Sequence, residues 1–384
     1  MNDIHEPTID EGVLRPTHLE VDLDQLAANY RAIAAHAAGA SVMPILKANA
    51  YGHGLVRVAQ LMEDLGAACL GVAYLEEGIR LRRAGVRTPI LVMGGIVGSQ
   101  IPAFIEHDLT LTASSVDKLV AIDEAAASMG KRARVHLKID TGMERIGVHY
   151  YSAETLLEAS VAVKHVDVQG IFSHFAMADE ADDAYTRMQF ERFMEVLSFY
   201  ERHSLPTPLR HIANSAAIAA RPDMHLDLVR PGILLYGVYP SALVPRRVEV
   251  APALTWKSRV VYFKVVKPNH PVSYGATWSS DHMVRLITIP VGYGDGYPRA
   301  MSGSAEVLLG DTRYPVVGRI CMDQVMVNIE WDSAWNGDEV ILLGGRGPRA
   351  IRAEELAGWA GTIPYEILTG INTRVPRVYL GGNL

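Results

Sequence analysis

The sequence predicts an α/β fold: a (β/α)8 TIM-type barrel followed by a mainly β C-terminal domain. Three observations carry this. Short apolar, β-branched runs alternate with amphipathic stretches over the first two thirds of the chain, a pattern that builds parallel strands joined by helices. Eight such units fit into roughly 230 residues, the size of a closed barrel rather than an open doubly wound sheet. Near Pro252 the helical stretches almost disappear and strands follow one another through short turns, which marks a separate layer architecture.

The barrel strands read in order as 41–46 (SVMPIL), 69–73 (CLGVA), 89–93 (PILVM), 109–112 (LTLT), 133–139 (ARVHLKI), 167–172 (VDVQGIF), 209–213 (LRHIA) and 226–229 (LDLV). Helical periodicity fills the gaps at 24–37, 75–85, 115–130 and 182–203. Several of these stretches open on Ser or Asp and close near Gly, as helix caps do. The β domain reads as strands at 254–266, 284–291, 305–310, 313–320, 323–329 and 338–344, with one helix at 352–361. The piece at 17–23 precedes the barrel and could pair with that second domain. Domain limits follow: a loosely ordered N-terminus over 1–13, the barrel over 14–251 and the β domain over 252–384.

Composition narrows the function classes. Among 384 residues, 49% are hydrophobic and 21% charged, with a net charge of −7, so the chain has a large core and lacks the basic face of a nucleic-acid binder. Cys69 and Cys321 are the two cysteines. Neither belongs to a metal-ligand spacing, and two unclustered thiols suit a reducing compartment. The polar, acidic N-terminus lacks the pattern of a secretory signal, and no apolar run approaches a membrane span. A cytoplasmic protein with no metal is the expectation.

Barrel chemistry sits at the C-terminal ends of the strands, and the first strand ends in KANAYGHG at Lys47. A lysine there could be a surface group with its stem laid on apolar neighbours. It could also have its pKa lowered by desolvation and react as a nucleophile with a carbonyl. KIDTGMERIG (138–147) places Asp140, Thr141 and Gly142 as turn residues and Arg145 in the same loop layer. His174 follows the sixth strand. Asn214 and Ser215 follow the seventh, where Ser215 could cap the next helix. Arg230, Gly232 and Ile233 follow the eighth. Loops after strands seven and eight commonly bind phosphate. Each residue alone has a structural explanation; their shared position at strand ends points to a lysine-bound, phosphate-bearing aldehyde, pyridoxal 5'-phosphate.

From about residue 14 to the C-terminus the chain resembles the alanine racemase family of barrel-fold, pyridoxal-phosphate-dependent enzymes. The resemblance rests on KANAYGHG, KIDTGMERIG, HIANSAA (211–217), RPGILLYG (230–237), VSYGATW (272–278), VGYGDGYPR (291–299), GRICMDQ (318–324) and PYE (364–366). It implies interconversion of L- and D-alanine, for wall peptidoglycan or alanine breakdown, by two bases on opposite faces of Cα. Lys47 resembles the Schiff-base lysine and one base; Tyr274 matches the other. His174 would bond Tyr274, and Arg230 would face the pyridine nitrogen. Tyr51, Ser215, Gly232, Ile233 and Tyr365 would hold the phosphate, with Asn214 beside them. Arg145 would orient the substrate carboxylate, with the Met322 backbone and Asp323 on the substrate side. Lys138 matches a position often carbamylated, and Tyr293 with Tyr365 would narrow the entryway. Because Tyr274, Met322 and Asp323 serve the other subunit's lysine in this family, a homodimer with shared sites is implied. The rival readings are a serine or broad-specificity amino-acid racemase, another barrel activity on the same cofactor, which needs no opposite tyrosine, and a non-catalytic cofactor-binding protein made of the barrel alone.

Overall fold

The computed structural model describes residues 15–382; the segment 1–13, expected to be loosely ordered, lies outside them. The chain divides into two compact units. One comprises 26–50 and 55–251, the other the residues up to Gln25, Tyr51–Gly54 and those from Pro252 onward. The span 14–251, expected as one barrel domain, is therefore divided. The first described strand, β1 (His18–Asp22), hydrogen-bonds to strands of the second unit instead of to the barrel.

The barrel is built from β2 (Ser41–Val42), β3 (Leu70–Val72), β4 (Ile90–Val92), β5 (Leu111–Ala113), β6 (Ala133–Asp140), β8 (Val166–Phe172), β9 (Leu209–His211) and β10 (Leu228–Val229), while β7 (Val148–His149) pairs with the end of β6. All these pairings are parallel. β10 lies on β2, β3 on β4, and β5, β6, β8 and β9 follow one another. Single bridges Ile45–Gly71 and Leu91–Thr110 join the pieces. The Asp227 and Arg230 amides reach the Arg210 and Ala213 carbonyls, so β9 meets β10 and the ring closes. Helices at 55–64, 75–83, 101–106, 116–128, 153–162, 184–202 and 215–220 supply the crossovers that parallel pairing requires. β3, β4 and β5 are short and completely buried, which is why they read as apolar runs and not as alternation.

The second unit holds a nine-stranded sheet. Its members are β1, β11 (Leu254–Arg259), β12 (Tyr262–Val266), β13 (Val284–Ile289), β14 (Glu306–Leu309), β15 (Thr312–Val317), β16 (Val325–Asn328), β17 (Glu339–Leu343) and β18 (Arg377–Leu380). The order is β12-β13-β16-β15-β14-β17-β11-β1-β18. The piece at 17–23 does pair here: Leu19 faces Trp256 across an antiparallel ladder.

The strand expected over 254–266 is two strands. The Val260 amide goes to Asp338 and the Val261 amide to Thr288, so the chain changes partners at this point. β11 and β12 stand six places apart in the sheet, which would be about 29 Å in a flat sheet at about 4.8 Å per strand. The two residues between them cannot span that, so the sheet curls until its ends approach. A second helix, Pro364–Gly370, was not expected beside 352–361. It starts on proline, which suits a first helical position but reads as a turn in the bare sequence.

Candidate active site

Lys47 follows β2, half-buried at the C-terminal end of the barrel. Burial, and then the Arg145 cation, lower its pKa below that of an ordinary lysine, while Glu77 pulls the other way. The next four residues, Ala48, Asn49, Ala50 and Tyr51, have φ between 51° and 56°. They form a left-handed helical turn with no glycine in it, at a cost of about 1–2 kcal/mol per residue. Small side chains lower that cost, and three hydrogen bonds offset it. The Ala48 amide donates to Glu77 Oε1 at 2.7 Å, the Ala50 amide to the Leu46 carbonyl at 2.7 Å, and Asn49 Oδ1 accepts from the Leu55 amide at 2.9 Å. Gly52 (φ +83°) follows because a Cβ there would lie 2.2 Å from the Leu368 carbonyl oxygen. Small residues and a glycine after the lysine thus serve one strained turn of the kind that gathers at functional sites.

Three polar residues at alternating positions of β6, His136, Lys138 and Asp140, share one face, and all three are buried. Lys138 Nζ donates to the Ile139 carbonyl at 3.2 Å and lies 4.8 Å from the Phe172 ring centre. Burial first, then Arg230, hold its pKa well below the ordinary value. Asp140 forms the turn expected of KIDTG: its carboxylate accepts the amides of Gly142, Met143 and Arg145. Burial opposes its charge, but the amide bonds and Lys138 outweigh it, and its pKa falls below the usual carboxylate value.

Arg230, after β10, is buried and held by four acceptors. Nη1 meets His211 Nδ1 at 2.8 Å, and Nη2 meets the Ser173 and Ile212 carbonyls at 2.8 and 3.0 Å and His174 Nδ1 at 3.2 Å. A guanidinium only donates, so both histidines must accept at Nδ1 and carry their proton on Nε2. His211 Nε2–H then donates to His136 Nδ1 at 2.8 Å. One arginine thereby fixes three imidazole tautomers. Burial, followed by the Arg230 charge, depresses all three: His136 is pushed down to about 4, His174 and His211 well below the ordinary value.

Acid sensitivity follows from these shifts. Neutral in the fold, the histidines take up protons on unfolding below about pH 6.5, so stability is whole above that pH and is lost as pH falls toward the folded values. His136 alone removes about 2 kcal/mol between pH 6.5 and 5, and His174 and His211 act with the same sign. Urea denaturation across this range should show the fall, and His136→Gln should lessen it while His174 and His211 keep the remainder; a midpoint constant from pH 7 to 5 would refute the assignment.

Asn214 caps the helix Ser215–Ala220, its Oδ1 accepting from the Ala217 amide. The cap role open to Ser215 thus falls to Asn214. Ser215 Oγ instead accepts the amides of Gly232 at 2.9 Å and Leu234 at 3.3 Å, joining the two turns expected to hold phosphate; Ile233 starts the short helical turn between them. A cavity of about 410 Å³ opens at the strand ends, lined by Lys47, Lys138, Arg145, Phe172, His174 and Arg230 among others.

The remaining candidates lie in the second unit. The Tyr51 and Tyr365 rings are 6.1 Å apart, and burial, then Tyr365, push the Tyr51 phenol up. Tyr274 is 70% exposed on a turn whose Ser273 hydroxyl donates to the Arg319 carbonyl and lies 3.6 Å from Cys321 Sγ. The Tyr293 amide donates to the Cys321 carbonyl, and Met322 and Asp323 follow directly. These four candidates share one neighbourhood.

Glu77, Phe172, His136 and His211 were missed as site-shaping residues. The alternation His136, Lys138, Asp140 was a readable signal in ARVHLKID. The Glu77 bond to Ala48 left none, since a glutamate three residues into a helix reads only as a cap.

The fold and cavity define a class: a (β/α)8-barrel enzyme with a lysine at a strand end, joined to a β domain. Family models described as "Alanine racemase, N-terminal domain" and "Alanine racemase, C-terminal domain" match residues 21–240 and 253–379. The alanine racemase of Symbiobacterium thermophilum is 43% identical over 369 residues, covering 96% of this chain and 98% of that protein. That of Desulforamulus reducens is 44% identical, covering 95% and 99%. The crystal structure of alanine racemase from D-cycloserine-producing Streptomyces lavendulae superposes with a TM-score of 0.92 at 39% identity, covering 96% of this chain and 97% of that one. The chain belongs to the alanine racemase family.

Proposed function

We propose that the barrel cavity holds pyridoxal 5'-phosphate on Lys47 and that the chain uses it to move a proton between the two faces of the alanine Cα. As a member of its family the chain is a racemase that interconverts L- and D-alanine. The observation that carries the site reading is the cavity lining: it includes four basic side chains, Lys47, Lys138, Arg145 and Arg230, and among the described residues no carboxylate. Such a lining favours an anionic ligand, and its volume suits a small-molecule cofactor.

When bound, the cofactor supplies a carbonyl carbon that takes an amine and a ring that withdraws electrons from Cα. The residues supply the rest. Ser215 and the Gly232 and Ile233 backbone would hold the phosphate with Tyr51 and Tyr365, Asn214 fixing the helix that carries Ser215. Arg230, held by four acceptors, would present a cation to the pyridine nitrogen, which keeps that nitrogen unprotonated and the ring a weaker electron sink. Arg145, together with the amide of the partner subunit's Met322, would orient the alanine carboxylate, with the partner's Asp323 beside them and Tyr293 narrowing the entry. Lys47 moves the proton on one face.

The other face needs a base from outside. Tyr274 is too exposed in its own chain to work in a water-excluded site, which supports a homodimer in which Tyr274 of the partner subunit completes the cavity. His174, forced by Arg230 to keep its proton on Nε2, offers that tyrosine a donor favouring its ionised oxygen. Two free cysteines fit a cytoplasmic setting, and D-alanine made there could serve wall peptidoglycan.

Purified protein given L-alanine in heavy water tests the reading. D-alanine carrying deuterium at Cα is expected by chiral chromatography and NMR; no exchange and no inversion in cofactor-loaded protein would overturn it. Lys138 adds a second test. Its depressed pKa favours the neutral amine, the form that adds carbon dioxide with loss of a proton, and the carbamate would place an anion near Arg145. A carbamate carbon resonance should appear in protein grown or incubated with 13C-bicarbonate and vanish in Lys138→Ala; its absence from wild-type protein would leave Lys138 an unmodified amine.

A further inference from the structure

Apart from Tyr293, the segment GYGDGY (292–297) has been given no role above, and its glycines match no nucleotide-binding pattern. In the structure it grips the loop that carries Met322 and Asp323. The Tyr293 amide donates to the Cys321 carbonyl at 3.0 Å, and the Gly294 amide to the Met322 carbonyl at 2.9 Å. A Cβ on Gly292 would lie 2.2 Å from the Cys321 oxygen, and one on Gly294 would lie 2.6 Å from Arg374 Nη2. The two backbones therefore touch directly, and any side chain at 292 would force them apart.

The grip is anchored by charge. Asp295 is completely buried. Arg15 holds it through Nη1–Oδ1 at 2.5 Å and Nη2–Oδ2 at 2.7 Å, and the Gly292 amide donates to Oδ2 at 3.0 Å. Arg374 makes the connection outward: Nε donates to Asp295 Oδ1 at 2.7 Å, and Nη2 to Asp323 Oδ1 at 2.8 Å and, more weakly, to the Met322 carbonyl at 3.5 Å. With the Cys321 and Met322 carbonyls both tied down, the two flanking peptide planes are fixed. In a trans peptide the N–H points opposite to the preceding carbonyl, so the Met322 N–H is aimed away from the grip.

We infer that GYGDGY and Arg374 form a clamp that aims the Met322 amide, and that Arg374 and Asp295 are positioning residues for the substrate carboxylate. This rests on the proposed contact between the Met322 amide and alanine. The clamp acts on binding, not on the proton transfer, so its loss appears in KM and leaves kcat nearly whole.

Arg374→Gln is the variant of choice, because Arg15 stays on Asp295, whereas Asp295→Asn disturbs a buried pair and could unfold the domain. The expected result is a roughly tenfold rise in KM for alanine, the scale of one lost charge-assisted hydrogen bond, with kcat within about twofold and an unchanged melting temperature. The inhibition constant of acetate, a bare carboxylate competing with alanine, should rise in parallel, and Arg374→Lys should recover part of both. Unchanged KM and acetate inhibition in Arg374→Gln would overturn the clamp while leaving the racemase reading intact. So would a fall in kcat and melting temperature together without a KM change. Wild-type protein that turns over alanine but is not inhibited by acetate would overturn the carboxylate contact itself, and the clamp with it.

Discussion

Lys47→Ala is expected to abolish racemisation, with kcat lowered at least about 10⁴-fold, and to remove the visible absorption of lysine-bound cofactor at the same time. Two losses combine. The side chain is the proposed covalent anchor of the cofactor, and it is one of the two proposed proton carriers, a role worth about 10²–10⁴-fold by itself. The depressed pKa of Lys47 gives the experiment a second arm. Burial and Arg145 lower the pKa of its amine; a small amine added from solution has neither influence. Methylamine should therefore rescue Lys47→Ala weakly, and increasingly as pH rises toward the amine's own pKa. Glu77 opposes those two effects, so Glu77→Gln should lower the Lys47 pKa further, seen as an acid shift of the pH at which the lysine-bound cofactor forms. A Lys47→Ala protein that keeps its colour, and whose cofactor borohydride still fixes to the chain, would remove Lys47 from the site.

Those residues were legible because a barrel places its chemistry where apolar runs stop. Lys47, His174, Ser215 and Arg230 all stand just past such a stop, and Arg145 lies in the loop after another. Position was readable; partnership was not. No local rule predicts four non-glycine residues in a left-handed turn after Lys47, because the bond that helps hold it comes from Glu77, on a helix 29 residues on. The His136–His211 contact joins residues 75 apart and exists only once β6 and β9 line the same ring. GYGDGY read as a glycine-rich turn because its meaning lies in the backbone of 321–322, which glycine alone can approach. The break at 260–261 was hidden for a similar reason: the sequence stays β-prone through it, and only the change of partner from β17 to β13 ends one strand and starts another.

Tyr274→Phe is the second large expected loss, and it separates the two proposed bases. Removing one hydroxyl leaves the barrel cavity and its cations intact, so cofactor binding and its absorption should be unchanged. Inversion should fall by about 10³-fold in either direction, within the usual worth of a positioned acid–base group. Lys47 remains on its own face, so one enantiomer of alanine should still exchange its Cα proton with heavy water without inverting, and the other should not. Equal loss of exchange for both enantiomers would mean that Tyr274 shapes the site without carrying a proton. Its location then decides the assembly. If each cavity takes Lys47 from one chain and Tyr274 from the other, a dimer of one Lys47→Ala chain and one Tyr274→Phe chain has one doubly damaged site and one intact site. An equal mixture, exchanged to equilibrium, is half heterodimer, and each heterodimer has one of two sites whole, so about a quarter of wild-type activity should return. If both groups came from one chain, every site in the mixture would carry a lesion, and verified heterodimers would stay inactive.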